Sequence, residues 1–283
     1  MGRAPLAQLD RASDFGSEGR GFESLRARQP LLFAPLRFDR VLIIAPHPDD
    51  DVIGAGGLIQ RTIAAGGQLR VLFLTAGERN PWPQRALLKK WRITDADRND
   101  WATLRMREAA SALARLGAPA DCLHLLGYPD QRLTALARAQ GDRVIAELAA
   151  RIRTFDPALV VMPSSFDLHG DHRATAYLAH RAVNDPSRIA TYVIHGSAPA
   201  DQSLFTLTLS DDECRRKREA IEAHTTQLLL GRRRFLSYAR ATETFYRAEE
   251  ECVRVDSAGR EAIDKMRHAL HAISQSVLAR FTR

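Results

Sequence analysis

The run Val41-Leu42-Ile43-Ile44-Ala45 is short, apolar and rich in β-branched residues, and it leads straight into Pro46-His47-Pro48-Asp49-Asp50-Asp51. A strand with no polar alternation must be covered on both faces, which calls for helices packed on either side of a largely parallel sheet. In open sheets of that kind, ligands bind outside the carboxyl ends of the strands, so the His and Asp residues stand where chemistry is expected. The pattern recurs far along the chain. Ala158-Leu159-Val160-Val161-Met162 reads as another buried strand, followed by Pro163-Ser164-Ser165-Phe166-Asp167-Leu168-His169-Gly170-Asp171-His172. Imidazole and carboxylate suit a divalent metal such as zinc, and a catalytic zinc takes three protein ligands and keeps one position open.

Strand signals near 41–45, 70–75, 121–126, 158–162 and 191–195 alternate with helical stretches near 57–65, 99–116, 140–154 and 173–184. Residues 202–210 read as a later strand and 211–224 as a helix with an acidic start. This alternation predicts an α/β fold: a Rossmann-like, doubly wound, mostly parallel sheet with a metal site at the carboxyl ends of its strands. Gly54, Gly56 and Gly57 do not complete a dinucleotide fingerprint, since position 59 is Ile, and are read as close packing of the first helix on the sheet. If the segment after the first strand stays extended, Asp49 and Asp50 point to opposite sides, so that one can hold an ion while its neighbour faces water. Asp171 also suits the cap of a helix starting near His172, but capping leaves the histidines at 169 and 172 unexplained.

These motifs resemble the PIG-L/LmbE-like family of metal-dependent N-deacetylases, over roughly residues 40–246. The family's Pro-His-Pro-Asp-Asp-Glu stands as Pro46 to Asp51, and its His-x-Asp-His as His169 to His172. Thr75-Ala76-Gly77-Glu78, Arg105 with Glu108, Gly127 to Asp130 and His224-Thr225-Thr226-Gln227 match further family positions. The resemblance implies a hydrolase that removes acetate from an N-acetylated amino sugar, such as an N-acetylglucosaminyl compound or glycoconjugate. It implies Zn2+, or another divalent metal such as Fe2+, held by His47, Asp50 and His172. Asp49 becomes the general base, protonated His169 the oxyanion donor, Arg105 and Asp130 substrate contacts, and Asp51 and Asp171 supports of the metal ligands. Asp51 departs from the family's Glu by one methylene, so its carboxylate must reach a partner differently. Spacing alone also admits a metal-dependent phosphoesterase or a non-catalytic glycan or nucleic-acid binder.

The remaining sequence adds boundaries. Residues 1–29, within an expected leader over 1–39, lack a sustained apolar period, and Ala7 to Ser13 and Gly21 to Leu25 read like translated D-arm and T-arm segments of a transfer-RNA gene. They are expected to be a disordered leader outside the native frame, ahead of a catalytic domain over 40–250. Ile263, Met266, Leu270, Ile273 and Val277 give residues 251–283 an amphipathic helix that docks on the core or on a partner subunit of a homo-oligomer. The net charge of +7 rests on arginine, lysine occurring only at 89, 90, 217 and 265. Arg232-Arg233-Arg234 comes with no zinc-finger, RRM or helix-turn-helix pattern, so a dedicated nucleic-acid role is not expected. Three cysteines, Cys122, Cys214 and Cys252, without metal-type pairing suit reduced thiols in a cytoplasm, with contact at the inner membrane limited to a peripheral one. His124, His195, His180, His268 and His271 read as structural or surface residues, and His224 as a pocket residue. The stretch 79–99, carrying Trp82, Lys89, Lys90 and Trp91, breaks the alternation and suits either a sugar face beside an anionic group or a solvated excursion.

Overall fold

The computed structural model describes residues 39–229 and 231–248, so the expected leader and the C-terminal helix lie outside the described residues. Seven strands form one sheet in the order β3-β2-β1-β4-β5-β7-β6. The strands are β1 (Arg40–Ala45), β2 (Gln68–Phe73), β3 (Leu123–Leu125), β4 (Leu159–Pro163), β5 (Ile189–Tyr192), β6 (Ser203–Thr208) and β7 (Thr242–Tyr246). The pairs β1–β2, β2–β3, β1–β4 and β4–β5 are parallel, whereas β7 pairs antiparallel with both β5 and β6.

Period-two alternation divides β1 between two cores, each lined by its own helices. Val41, Ile43 and Ala45 pack with side chains of α1 (Asp50–Ala64), α3 (Asp95–Arg115) and α6 (Asp211–Glu222). Leu42 and Ile44 pack with side chains of α4 (Leu133–Phe155) and α5 (Gly170–Ala182). Both sets are fully buried in β1, and each such Val, Leu or Ile contributes about 1.5–3 kcal/mol. The chain winds outward from β1 through β2 to β3, then returns to place β4 on the other side of β1. This reversal opens a crevice at the carboxyl ends of β1 and β4, the two strands that the His/Asp motifs follow.

Several boundaries differ from the sequence reading. The first helix begins at Asp50, well ahead of residue 57, but it breaks at Ala55 (φ −143, ψ 22). Beyond the break, the Gly57 and Leu58 amides donate to the Glu243 carboxylate at 2.7 and 3.1 Å. A side chain of β7 thus caps the second half of α1, close to where the sequence placed the helix start. Residues 79–99 are not one loop: Asn80 caps α2 (Pro81–Leu88), with proline in its first turn. Two short helices, α7 (Thr225–Leu228) and α8 (Arg232–Leu236), precede β7, and neither they nor β7 was foreseen.

Glu243 also accepts from Lys217 Nζ at 2.6 Å, and both side chains are 2% exposed. Removing one member of a buried pair strands its partner's charge. Glu243→Ala should therefore cost about 3–5 kcal/mol in urea unfolding, since it also frees two amides of α1. A loss below about 1 kcal/mol, the range of an exposed pair, would contradict this reading.

Candidate active site

His47 follows β1 and is held from both edges of its ring. Its Nδ1 lies 2.9 Å from Asp50 Oδ2. Its Nε2 lies 3.2 Å from Asp130 Oδ1 and 3.5 Å from Asp171 Oδ2. His172, in the first turn of α5, is fully buried, with Nε2 3.3 Å from the same Asp50 oxygen and Nδ1 3.0 Å from Asp167 Oδ2. Asp50 Oδ2 therefore stands between the two imidazoles. Donors that share a zinc ion at ~2.1 Å sit roughly 3.4 Å apart in a tetrahedron, close to both Asp50 separations.

The electrostatics fit a cation here. Burial alone would raise the Asp50 carboxyl, but His172 and His47 hold it well below the usual carboxylate range. Burial would lower both rings, yet Asp50 with Asp130 and Asp171 lifts His47 well above its ordinary value, and Asp50 with Asp167 brings His172 to about 9. Carboxylates that favour protons on these rings favour a divalent cation in their place. Although both His172 nitrogens lie at ion-pair distance from carboxylates, neither has a well-directed hydrogen bond among the described residues, and a cation at Nε2 would satisfy one of them. Two groups among the described residues have metal-ligand spacing, His47 with His169 and His172, and His47 with Asp130 and Asp171. Those two carboxylates already accept backbone amides, Asp130 from Arg79 and Asp171 from Gln131 and Leu133, as groups that orient a ligand histidine do.

Asp49 is not extended but adopts φ 150, ψ −27, a region costly for any residue other than glycine. The strand-end geometry expected for the Asp49-Asp50 pair is replaced by a sharp turn into α1, and this turn is what separates the two carboxylates. Asp49 Oδ1 lies 3.2 Å from Arg105 Nη2, away from the His47–Asp50 contact. Burial, opposed by Arg105, pushes the Asp49 carboxyl up to about 7, suited to proton exchange near neutrality.

Arg105 and Asp130, expected at the substrate, are turned inward. Arg105 is 4% exposed, and its guanidinium donates to the Gly77 and Pro48 carbonyls at 3.0 and 2.8 Å, fixing the loop that bears Asp49. Asp130 is buried between the Arg79 amide and His47. A Cβ on Gly77, which holds φ +66, would sit 1.6 Å from Arg105 Nη1. Gly77→Ala should therefore displace Arg105 and cut turnover by about a hundredfold, as 1 Å misplacements do, without removing a reacting group. Wild-type turnover in a folded Gly77→Ala protein would show that Arg105 does not position Asp49.

His169 is the N-cap of α5, its Nδ1 accepting the Asp171 amide at 3.2 Å. An accepting Nδ1 carries no proton, so the ring is the neutral Nε2–H form rather than the protonated one; burial and the neighbouring His172 push it the same way. Asp171 is accordingly not the cap. Asp51 is fully buried, neither oxygen has a hydrogen-bond partner among the described residues, and burial raises its carboxyl to about 8. No hydrogen bond links Asp51 to a metal-ligand candidate among the described residues.

Three residues were given no part in the site's chemistry by the sequence reading. Asp167 meets His172 through Oδ2, which also accepts the Ile194 and His195 amides, while its Oδ1 accepts the His169 amide. The clue was its place in the His-bearing loop. His195, read as structural, has its ring centroid 5.2 Å from that of His172 and 5.8 Å from that of His169. Glu108 accepts from both Thr225 and Thr226, fixing the turn that carries the buried His224.

The profile of the family described as PIG-L, GlcNAc-PI de-N-acetylase, matches residues 42–183. A 1D-myo-inositol 2-acetamido-2-deoxy-alpha-D-glucopyranoside deacetylase of Mycobacterium avium is 30% identical over 146 residues, 47% of either chain. The chain thus spans about half the length of the curated relatives it matches. The N,N'-diacetylchitobiose deacetylase of Pyrococcus horikoshii superposes with TM-score 0.57 at 24% identity, over 73% of this chain and 82% of its own. GalB, a 4-carboxy-2-hydroxymuconate hydratase of Pseudomonas putida, does so with TM-score 0.53 at 22% identity, over 71% and 82%. The same fold therefore carries a hydratase, and side chains rather than architecture must decide the chemistry.

Proposed function

This chain belongs to the PIG-L (GlcNAc-PI de-N-acetylase) family, and from that premise we propose that it is a metal-dependent hydrolase, using zinc, that removes acetate from an N-acetylated amino sugar. The observation that carries the proposal is Asp50 Oδ2 set between His47 Nδ1 and His172 Nε2, with Asp49 beside it but turned onto Arg105. His47, Asp50 and His172 would hold the ion, with Asp167, Asp130 and Asp171 fixing the two rings. Once bound, it would lower the pKa of a water molecule and polarise the amide carbonyl.

The side chains divide the rest of the work. Asp49 takes the proton from the attacking water, and the His169 Nε2–H donates to the oxygen that gains charge. The carboxylic acid then formed at Asp49 returns its proton to the departing amine, so one group serves both transfers. Arg105 holds that carboxyl in place throughout.

The relatives, named as deacetylases of small amino-sugar compounds, support an N-acetylglucosaminyl substrate, which we take to be free or lipid-linked. A cytoplasmic enzyme with at most peripheral contact at the inner membrane fits two free cysteines and the lack, among the described residues, of any helix long and apolar enough to cross a membrane. The test is acetate release from N-acetylglucosaminyl compounds by protein loaded in turn with Zn2+ and Fe2+. Phosphate release without acetate would favour a phosphoesterase, and metal binding with neither would leave a binding protein; either outcome overturns the proposal.

A further inference from the structure

Four of the seven large hydrophobic side chains exposed among the described residues fall between positions 82 and 91. They are Trp82 (42% exposed), Leu87 (47%), Leu88 (37%) and Trp91 (73%), all on α2 and the turn after it. The Arg85 guanidinium lies over both indoles, 5.1 Å from the Trp82 ring and 4.4 Å from the Trp91 ring, and donates to the Trp91 carbonyl. The patch is thus a fixed platform. Asn80 caps the start of α2, and the buried Gln84 donates to the Glu78 and Asn80 carbonyls.

The charge within the segment 79–94 has one sign. Residues 79–94 contain Arg79, Arg85, Lys89, Lys90 and Arg92 and no acid. Lys90 is paired with Asp97 and Arg79 lies near Glu78, whereas Lys89 and Arg92 are exposed with no ion pair among the described residues. Indoles beside leucines, ringed by unpaired cations, match the boundary of an anionic bilayer, where rings sit at headgroup depth, aliphatic tips enter the acyl layer and cations meet lipid phosphate. A saccharide would stack on the indoles but leave Leu87 and Leu88 in water.

We propose that α2 and the Leu88–Arg92 turn form a docking surface for an anionic lipid bilayer. The surface adjoins the site: the Arg79 amide donates to Asp130, which touches His47, and the Asp130 amide donates to Glu78. Docking through α2 would therefore bring the His47–Asp50 centre to the membrane surface, within reach of an amino sugar carried on a lipid. That last step rests on the deacetylase reading; the bilayer contact does not.

Vesicle binding and acetate release separate the two. Full-length protein is mixed with phosphatidylcholine vesicles, either pure or containing about one-third phosphatidylglycerol. Sedimentation with the anionic vesicles is expected, with a blue shift of tryptophan emission from Trp82 and Trp91. Pure phosphatidylcholine should bind more weakly by about fivefold per cation engaged. L87S/L88S should abolish sedimentation, and K89E/R92E should remove the preference for phosphatidylglycerol. Both pairs are exposed and outside the proposed machinery, so acetate release from a water-soluble substrate should be unchanged, and circular dichroism checks the fold. Failure of the wild type to sediment, unchanged sedimentation of folded L87S/L88S, or capture by a soluble anionic polysaccharide but not by vesicles would each overturn the docking surface. Loss of acetate release with vesicle binding intact would instead overturn the deacetylase reading.

Discussion

Asp49→Asn is expected to keep its metal and its fold and to lose about a hundred- to ten-thousandfold in turnover, the range for a missing general base. Asparagine matches aspartate in size and can still present a carbonyl oxygen to Arg105, 3.2 Å away, but it cannot take a proton from water. The folded backbone should tolerate the change, because asparagine adopts positive φ at least as readily as aspartate. Metal content and acetate release are measured on the same preparation. Loss of the ion, or near wild-type turnover, would remove Asp49 from the role of base.

The metal ligands should behave in the opposite way. His47→Ala, Asp50→Ala and His172→Ala should each strip most of the bound ion on dialysis, because a site of three protein ligands is too weak with two. Asp50→Ala should be the most damaging, since it removes the carboxylate that faces both rings. Asp130→Ala and Asp171→Ala should retain the ion with about ten- to a hundredfold weaker affinity, as for groups that only orient a ligand. Elemental analysis decides between the sets. One equivalent of metal in Asp50→Ala and His172→Ala, with loss in His47→Ala, Asp130→Ala and Asp171→Ala, would move the ion to the opposite edge of His47.

What could be read from the chain depended on distance along it. Both motifs follow uninterrupted apolar runs, so the strands and their burial were legible from local pattern, whereas the joining of His47 with His172 came from the family resemblance. The acidic start of α6 was legible in the same way, whereas α3 begins at Asp95, ahead of the expected residue 99, behind a capping box at Thr94–Asp97. Asp167 and His195 were not legible, because their contacts with His172 depend on how β4 and β5 lie side by side. The inward turn of Arg105 likewise needs the Gly77 and Pro48 carbonyls, supplied by two other loops. The strand β7 was missed because Thr242-Glu243-Thr244-Phe245-Tyr246 is half polar, and its glutamate is buried to serve a distant helix.

That glutamate also fixes an order of events. Gly57 and the carboxylate that binds its amide are 186 residues apart in sequence, so the interaction closes one of the longest loops in the fold. During synthesis, the His47–Asp50 loop and the first half of α1 emerge long before Glu243 does. A nascent chain that ends before β7 holds both metal-binding motifs yet lacks the cap that secures α1 beyond its break. The family-matched segment 42–183 therefore lacks the side chain that caps the second half of α1, which lies beyond its C-terminal limit.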